Sequence, residues 1–148
     1  MSDTFVSLQK LSLAYGQTLV VPDLDLDIRK GELIALLGPS GCGKTTTMRA
    51  IAGLMAPQSG HILIDSQDVT RVPANKRGIG LVFQSYALYP HMTVFHNMAF
   101  SLDLQGRPRK EIKERVEKAA QILQMENLLD RKPAALSGGQ RQRVAIGR

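Results

Sequence analysis

Phe5–Tyr15 reads as a strand, and Asp23-Leu24-Asp25-Leu26-Asp27-Ile28 alternates polar with apolar side chains, the period of a half-buried strand. Arg29-Lys30-Gly31-Glu32 then supplies a turn. Leu33-Ile34-Ala35-Leu36-Leu37 is apolar without alternation, as expected of a strand covered on both faces. After a glycine-rich stretch, Gly38–Gly43, the residues Met48, Ile51, Ala52 and Met55 recur at helical spacing. That helix should end before Pro57, with Ser59-Gly60 beginning the next turn. His61-Ile62-Leu63-Ile64 and Ile79-Gly80-Leu81-Val82-Phe83 are expected as two further short strands.

From about Thr93 the period changes. Thr93 is placed to cap a helix through Leu102, and Gln105-Gly106-Arg107-Pro108 breaks the pattern. Ile112, Val116, Ala119, Ala120 and Leu123 then mark one face of an amphipathic helix with Arg, Lys and Glu opposite. The layout expected is a β-rich core over about 1–86, a helical section over about 87–136 and a final helix over 137–148.

Composition narrows the class. Hydrophobic residues at 43% and charged residues at 22% fit a globular domain and exclude a disordered chain. One cysteine, Cys42, excludes an internal disulfide and a cysteine-rich metal site. The amino terminus has no basic stretch leading into an apolar core, so no signal peptide is visible. Gly78–Leu102 holds no Asp, Glu, Lys or Arg, but Gln84, Ser85, Pro90, His91, His96 and Asn97 interrupt it, so no membrane crossing is expected. His61, His91 and His96 show no metal-ligand spacing. The chain carries 19 Lys+Arg against 13 Asp+Glu, a net charge of +6. Charges up to residue 106 cancel, so the whole excess lies in 107–148. A basic end fits a nucleic-acid arm, a membrane-surface patch or a domain cut before its acidic part.

Gly38-Pro39-Ser40-Gly41-Cys42-Gly43-Lys44-Thr45 fits G-x-x-x-x-G-K-[ST] between an expected strand and an expected helix. Glycines let backbone N–H groups converge on phosphate oxygens, and the helix amino terminus adds partial positive charge. Lys44 would reach the terminal phosphates and the Thr45 hydroxyl one position on Mg²⁺. Thr46 follows as a further nucleotide-binding candidate. Cys42 is either a small residue tolerated in a tight loop or a reactive thiol shielded by bound nucleotide.

Leu136-Ser137-Gly138-Gly139-Gln140, continued by Arg141-Gln142-Arg143-Val144-Ala145-Ile146-Gly147-Arg148, is the most specific string. With the phosphate loop it closely resembles the ATP-binding-cassette transporter ATPases, over essentially the whole chain. Residues 38–45 match the family's Walker A loop and 136–140 its signature. Gln84 matches the family's Q-loop glutamine, a Mg²⁺ or water contact. Tyr15 stands where the family places an aromatic ring against adenine, although as a residue it is equally a strand-end tyrosine. The segment Val82–Val94 and Leu136–Arg148 are similar to carbohydrate importers of the maltose and glycerol-3-phosphate type.

The resemblance implies an α/β fold: a P-loop NTPase core with an antiparallel β subdomain and a helical subdomain. It implies ATP and Mg²⁺ as cofactors, and Lys44 and Gln84 as supports of catalysis. A homodimer or a paired ATPase subunit would bring Ser137, Gly138, Gly139 and Gln140 to the partner's nucleotide in trans. Transmembrane permease subunits would meet Tyr86–Met92, whose alternative role is packing between lobes. The subunit would lie at the cytoplasmic face of the inner or plasma membrane, importing a sugar or a glycerol-phosphate-like solute, with no nucleic acid expected.

A hydrolysing cassette also needs a Walker B strand ending in Asp-Glu, and later a histidine. No Asp-Glu pair occurs here. Ile62-Leu63-Ile64-Asp65 imitates the strand, but Ser66 follows and the order is wrong, so Asp65 is expected in a turn. The expected reading is therefore an amino-terminal portion, truncated before the Walker B strand, that binds nucleotide without efficient hydrolysis and leaves apolar surface uncovered. The alternatives are a nucleic-acid-associated cassette ATPase, supported only by the basic end, and a non-functional gene fragment.

Overall fold

Two long strands, β1 (Thr4–Tyr15) and β2 (Thr18–Arg29), pair antiparallel with Leu8 opposite Leu26 and Leu11 opposite Leu24. The computed structural model describes residues 4–148. Along β2 the expected alternation holds: Leu24, Leu26 and Ile28 are half-buried, while Asp23, Asp25 and Asp27 face solvent. β3 (Ser59–Ile64) and β4 (Gln67–Asp68) complete one antiparallel sheet in the order β2-β1-β3-β4. Asp65 and Ser66 join β3 to β4 with φ of 50° and 64°. Two left-handed residues in a two-residue loop match the twist of a hairpin, so Asp65 is a turn residue as expected. Leu8, Leu11, Leu13, Val21, Ile62, Ile64 and Val69 form this unit's core, closed by Ala50.

Ala50 belongs to α1 (Lys44–Ile51), which turns Thr46, Thr47 and Ala50 inward and leaves Met48 exposed. The helix ends at Ala52 and Gly53, well before Pro57. Ser59-Gly60 is not the turn expected there. It is the start of β3, where Gly60 crosses β1 so closely that a Cβ would collide with the backbone of Gln9 and Lys10.

The two other expected strands do not form. Leu33–Leu37 and Ile79–Phe83 have no regular structure, and Gln84 lies in a turn rather than at a strand end. Leu33 is 97% exposed and Leu37 90%. The physical reason is lateral: an interior strand of a parallel sheet is held by neighbours on both sides. Among the described residues every strand belongs to the one antiparallel sheet, so neither run has a ladder to join. The uncovered apolar surface expected from the sequence is therefore present at these two runs.

The second compact unit begins at Val82, a few residues before the expected transition at 86. It holds α2 (Val94–Leu104), α3 (Arg109–Ile122) and α4 (Gly138–Gly147). Thr93 caps α2 by accepting the His96 N–H. Ile112, Val116 and Ala120 of α3 are buried, with Ala119 and Leu123 packed beside them. Val94, Met98 and Ala99 of α2 and Val144 of α4 share that core with Met125 and Leu136, so α4 packs within the helical unit. No helix among the described residues is long and apolar enough to cross a membrane.

Candidate functional site

In the first unit the site is built on the entry to α1. Gly38 (φ 150°), Gly41 (φ 86°) and Gly43 (φ 93°) hold backbone angles that residues with a Cβ rarely adopt. At Gly43 a Cβ would also collide with Val21 of β2, so glycine is what lets the loop lie against the sheet. Gly43 is the N-cap of α1 and supplies no side chain to it. The first N–H groups of the helix thus have no capping oxygen, and the positive end of the helix dipole faces outward. Thr47 closes the first turn, its N–H and hydroxyl both donating to the Gly43 carbonyl at 2.8 and 2.9 Å.

Lys44 folds back over this loop. Its Nζ donates to the carbonyls of Gly38 (2.7 Å) and Pro39 (2.6 Å), and lies 3.3 Å from the Cys42 sulfur. An ammonium on the loop that leads into a helix start without a side-chain cap can serve anionic oxygens. Thr45 is exposed and Thr46 is buried, so of the two residues only Thr45 lies open to solvent. Ser40, Gly41 and Cys42 are exposed along the same loop. Tyr15, half-exposed at the end of β1, stands beside α1: the Thr46 side chain, and then Arg49, hold its phenol below the usual tyrosine pKa. One unit therefore brings together Tyr15, the loop 38–43, Lys44, Thr45 and Thr46.

Gln84 and the signature residues belong to the second unit. Gln84 is exposed in a turn closed by the Tyr86 N–H donating to Phe83 O at 2.8 Å. Tyr86 and Ala87 follow with φ of 62° and 48°. Two consecutive non-glycine residues in the left-handed region store strain, which the surroundings must hold in place. Asn97 ties down the residues that follow this pair. It is fully buried, its Nδ2 donates to the carbonyls of Tyr89, Met92 and Thr93, and its Oδ1 accepts the Tyr89 N–H at 2.8 Å. Tyr89 packs against Phe100 with ring centroids 4.6 Å apart and planes tilted by 52°, and the Arg148 guanidinium lies 4.4 Å over the Tyr89 ring.

Ser137, Gly138, Gly139 and Gln140 open α4 through a capping box. Ser137 Oγ accepts the Gln140 N–H at 3.3 Å, and Gln140 Oε1 accepts the Ser137 N–H at 2.8 Å. Two donors are thus spent within the turn, leaving the Gly138 and Gly139 amides and the Ser137 hydroxyl proton for an outside anion. The nearby arginines are occupied with backbone: Arg141 donates to Leu136 O (2.7 Å), Arg143 to Leu123 O (3.0 Å) and Arg148 to Ala87 O. On α3, Arg115 pairs with Glu111 at 2.8 Å. Three of the eleven basic side chains of 107–148 are thus bonded to backbone carbonyls.

Sequence reasoning missed Asn97, Arg77 and the capping box. Asn97 was visible as a lone amide between Val94 and Met98 on an apolar helix face. The box was visible as the Ser-x-x-Gln spacing at the start of the expected final helix. Nothing in the sequence marks Arg77, a buried guanidinium described below. Among the described residues no group of three His, Cys, Asp or Glu could hold a metal.

Comparison with known proteins gives a consistent result. The family model described as ABC transporter matches residues 21–148. The spermidine/putrescine import ATP-binding protein PotA of Haemophilus influenzae (strain ATCC 51907 / DSM 11121 / KW20 / Rd) is 52% identical over 143 residues, covering 97% of this chain and 38% of that protein. The maltose/maltodextrin import ATP-binding protein MalK of Escherichia coli (strain K12) is also 52% identical, with the same two shares. Among solved structures, cbiO1 of Clostridium perfringens, part of the ABC transporter complex cbiONQ, superposes with a TM-score of 0.86 at 31% identity, over 99% of this chain and 61% of that one. The chain spans about two fifths of the curated relatives it matches, 38% of each of these two.

Proposed function

This chain belongs to the ABC transporter family, and on that premise we propose that it is the ATP-binding part of an importer's ATPase subunit. The observation that carries the reading is the uncapped start of α1, with Lys44 Nζ folded over the glycine loop that leads into it. In this reading the free backbone N–H groups of the loop leading into α1, Pro39 having none, and the Lys44 ammonium bind phosphate oxygens. Tyr15 lies against adenine and Thr45 takes one position on Mg²⁺; Gln84 keeps the Mg²⁺ or water contact that the family resemblance implies. When bound, Mg²⁺ supplies Lewis-acid neutralisation of phosphate charge. Ser137, Gly138, Gly139 and Gln140 serve a nucleotide on a second ATPase subunit, either an identical copy or a paired one, through the donors their capping box leaves free.

Tyr86–Met92 is assigned to the contact with membrane permease subunits. The strained pair Tyr86-Ala87 and the four hydrogen bonds of Asn97 support a segment preformed for docking. The protein then works peripherally at the cytoplasmic face of the membrane. The solute is a sugar or a glycerol-phosphate-like molecule. A polyamine is the second reading, favoured by relatives named for spermidine/putrescine import that are as similar as those named for maltose. Because the 148 residues hold no Asp-Glu pair to polarise water, they bind nucleotide with little turnover.

Affinity purification of the tagged chain from detergent-solubilised native membranes should retain identified permease subunits, while phosphate release by the purified chain stays near background. Retention of RNA or DNA that falls steeply with salt, without a permease, would instead place the chain with nucleic-acid-associated ATPases. Family-like turnover would overturn the hydrolysis claim.

A further inference from the structure

Arg77 is 8% exposed, and among the described residues it has no carboxylate partner. Its Nη1 donates to the carbonyls of Ala50 (2.8 Å) and Ile51 (2.9 Å), in the last turn of α1. Its Nε donates to Val72 O at 2.7 Å and its Nη2 to Thr70 O at 3.2 Å. Gly53 makes the room, since a Cβ there would collide with the guanidinium. Burial pulls the Arg77 pKa below its ordinary value, a cost that purely surface roles avoid. The last carbonyls of a helix lack intrahelical partners and carry its negative end, so a cation fits there on two counts.

α1 has only eight residues, too short to hold its own shape in water. Its far end, about 12 Å away at the standard rise, is the anion cradle. Gly43 against Val21 fixes one end of this helix, and Arg77 fixes the other to the strap Thr70–Val72. We infer that Arg77 is a positioning residue: by holding the carboxyl end of α1, it sets the loop geometry on which phosphate affinity depends. This rests on the nucleotide reading above.

The test compares Arg77→Gln and Arg77→Lys, the milder change, with Ile64→Ala, which weakens the same unit's core away from the loop. All are measured below the onset of melting. MgATP Kd should rise about tenfold in Arg77→Gln and less in Arg77→Lys, while Ile64→Ala stays within about twofold of wild type. Alkylation of Cys42, the chain's single cysteine, is measured without nucleotide as a second readout of the loop. Its rate should depart from wild type by more than about threefold in Arg77→Gln alone. Wild-type Kd and wild-type alkylation in the Arg77 variants would overturn the assignment, as would an equal effect of Ile64→Ala on both. If the wild-type chain binds no MgATP, the nucleotide reading fails, and the alkylation arm by itself decides whether Arg77 sets the loop.

Discussion

Asp68 shows how a single side chain ties the small hairpin together. Its carboxylate accepts the Thr70 hydroxyl at 2.5 Å, the Thr70 N–H at 2.9 Å and His61 Nδ1 at 2.9 Å, while Thr70 Oγ1 accepts the Ile62 N–H. The Thr70 bonds first, and then His61, lower the Asp68 pKa from 3.8 to about 2. A depressed folded pKa stabilises the fold above the unfolded value and ceases to do so as pH falls through the folded one. The contribution is therefore present above pH 3.8 and lost between there and about 2. Solvent at this half-exposed site keeps it small. In acid titrations followed by circular dichroism, Asp68→Asn should flatten the stability profile across that window. An unchanged slope would assign the acid sensitivity elsewhere. Residues of this kind were poorly legible in the sequence. Asp68, Asn97 and Arg77 act through bonds to distant backbone, and the chain places their partners only once folded. Lys44, Thr45 and Tyr15 were legible because their meaning lies in spacing along the chain.

At the scale of elements, α1 and α4 begin in opposite ways. Gly43 leaves the start of α1 without a side-chain cap, whereas Ser137 and Gln140 satisfy each other's backbone at the start of α4. Removing the hydroxyl should cost the second unit about 1 kcal/mol. Ser137→Ala is thus expected to lower the melting temperature and speed exchange of the Gly139 to Arg141 amides, with α2 and α3 little altered. Wild-type exchange in α4 would show that the box contributes nothing. The helices were legible because each buries a face of a 3.6-residue period: Ile112, Val116 and Ala120 announce α3 by spacing alone. The same reasoning failed for Leu33–Leu37 and Ile79–Phe83. An unalternating apolar run marks residues that are buried in some setting, and a strand also needs a neighbour to bond with. Here the neighbours are missing among the described strands, so the runs stay open.

For the whole molecule, the charge asymmetry acquires a structural meaning. The excess of +6 lies in 107–148, where Arg141, Arg143 and Arg148 are bonded to backbone carbonyls while Arg109, Lys110, Lys118, Arg131 and Lys132 are exposed. Backbone donors that can meet an anion are found in the glycine loop of the first unit and at Gly138 and Gly139 of the second. The central claim is that this loop binds nucleotide phosphates through Lys44. Isothermal titration of MgATP into the wild-type chain and into Lys44→Ala tests it most directly. Saturable one-site binding by the wild type is expected, weakened about ten- to a hundredfold by loss of the charged donor. Equal binding by Lys44→Ala, or no saturable binding by a wild-type chain that melts cooperatively, would contradict it.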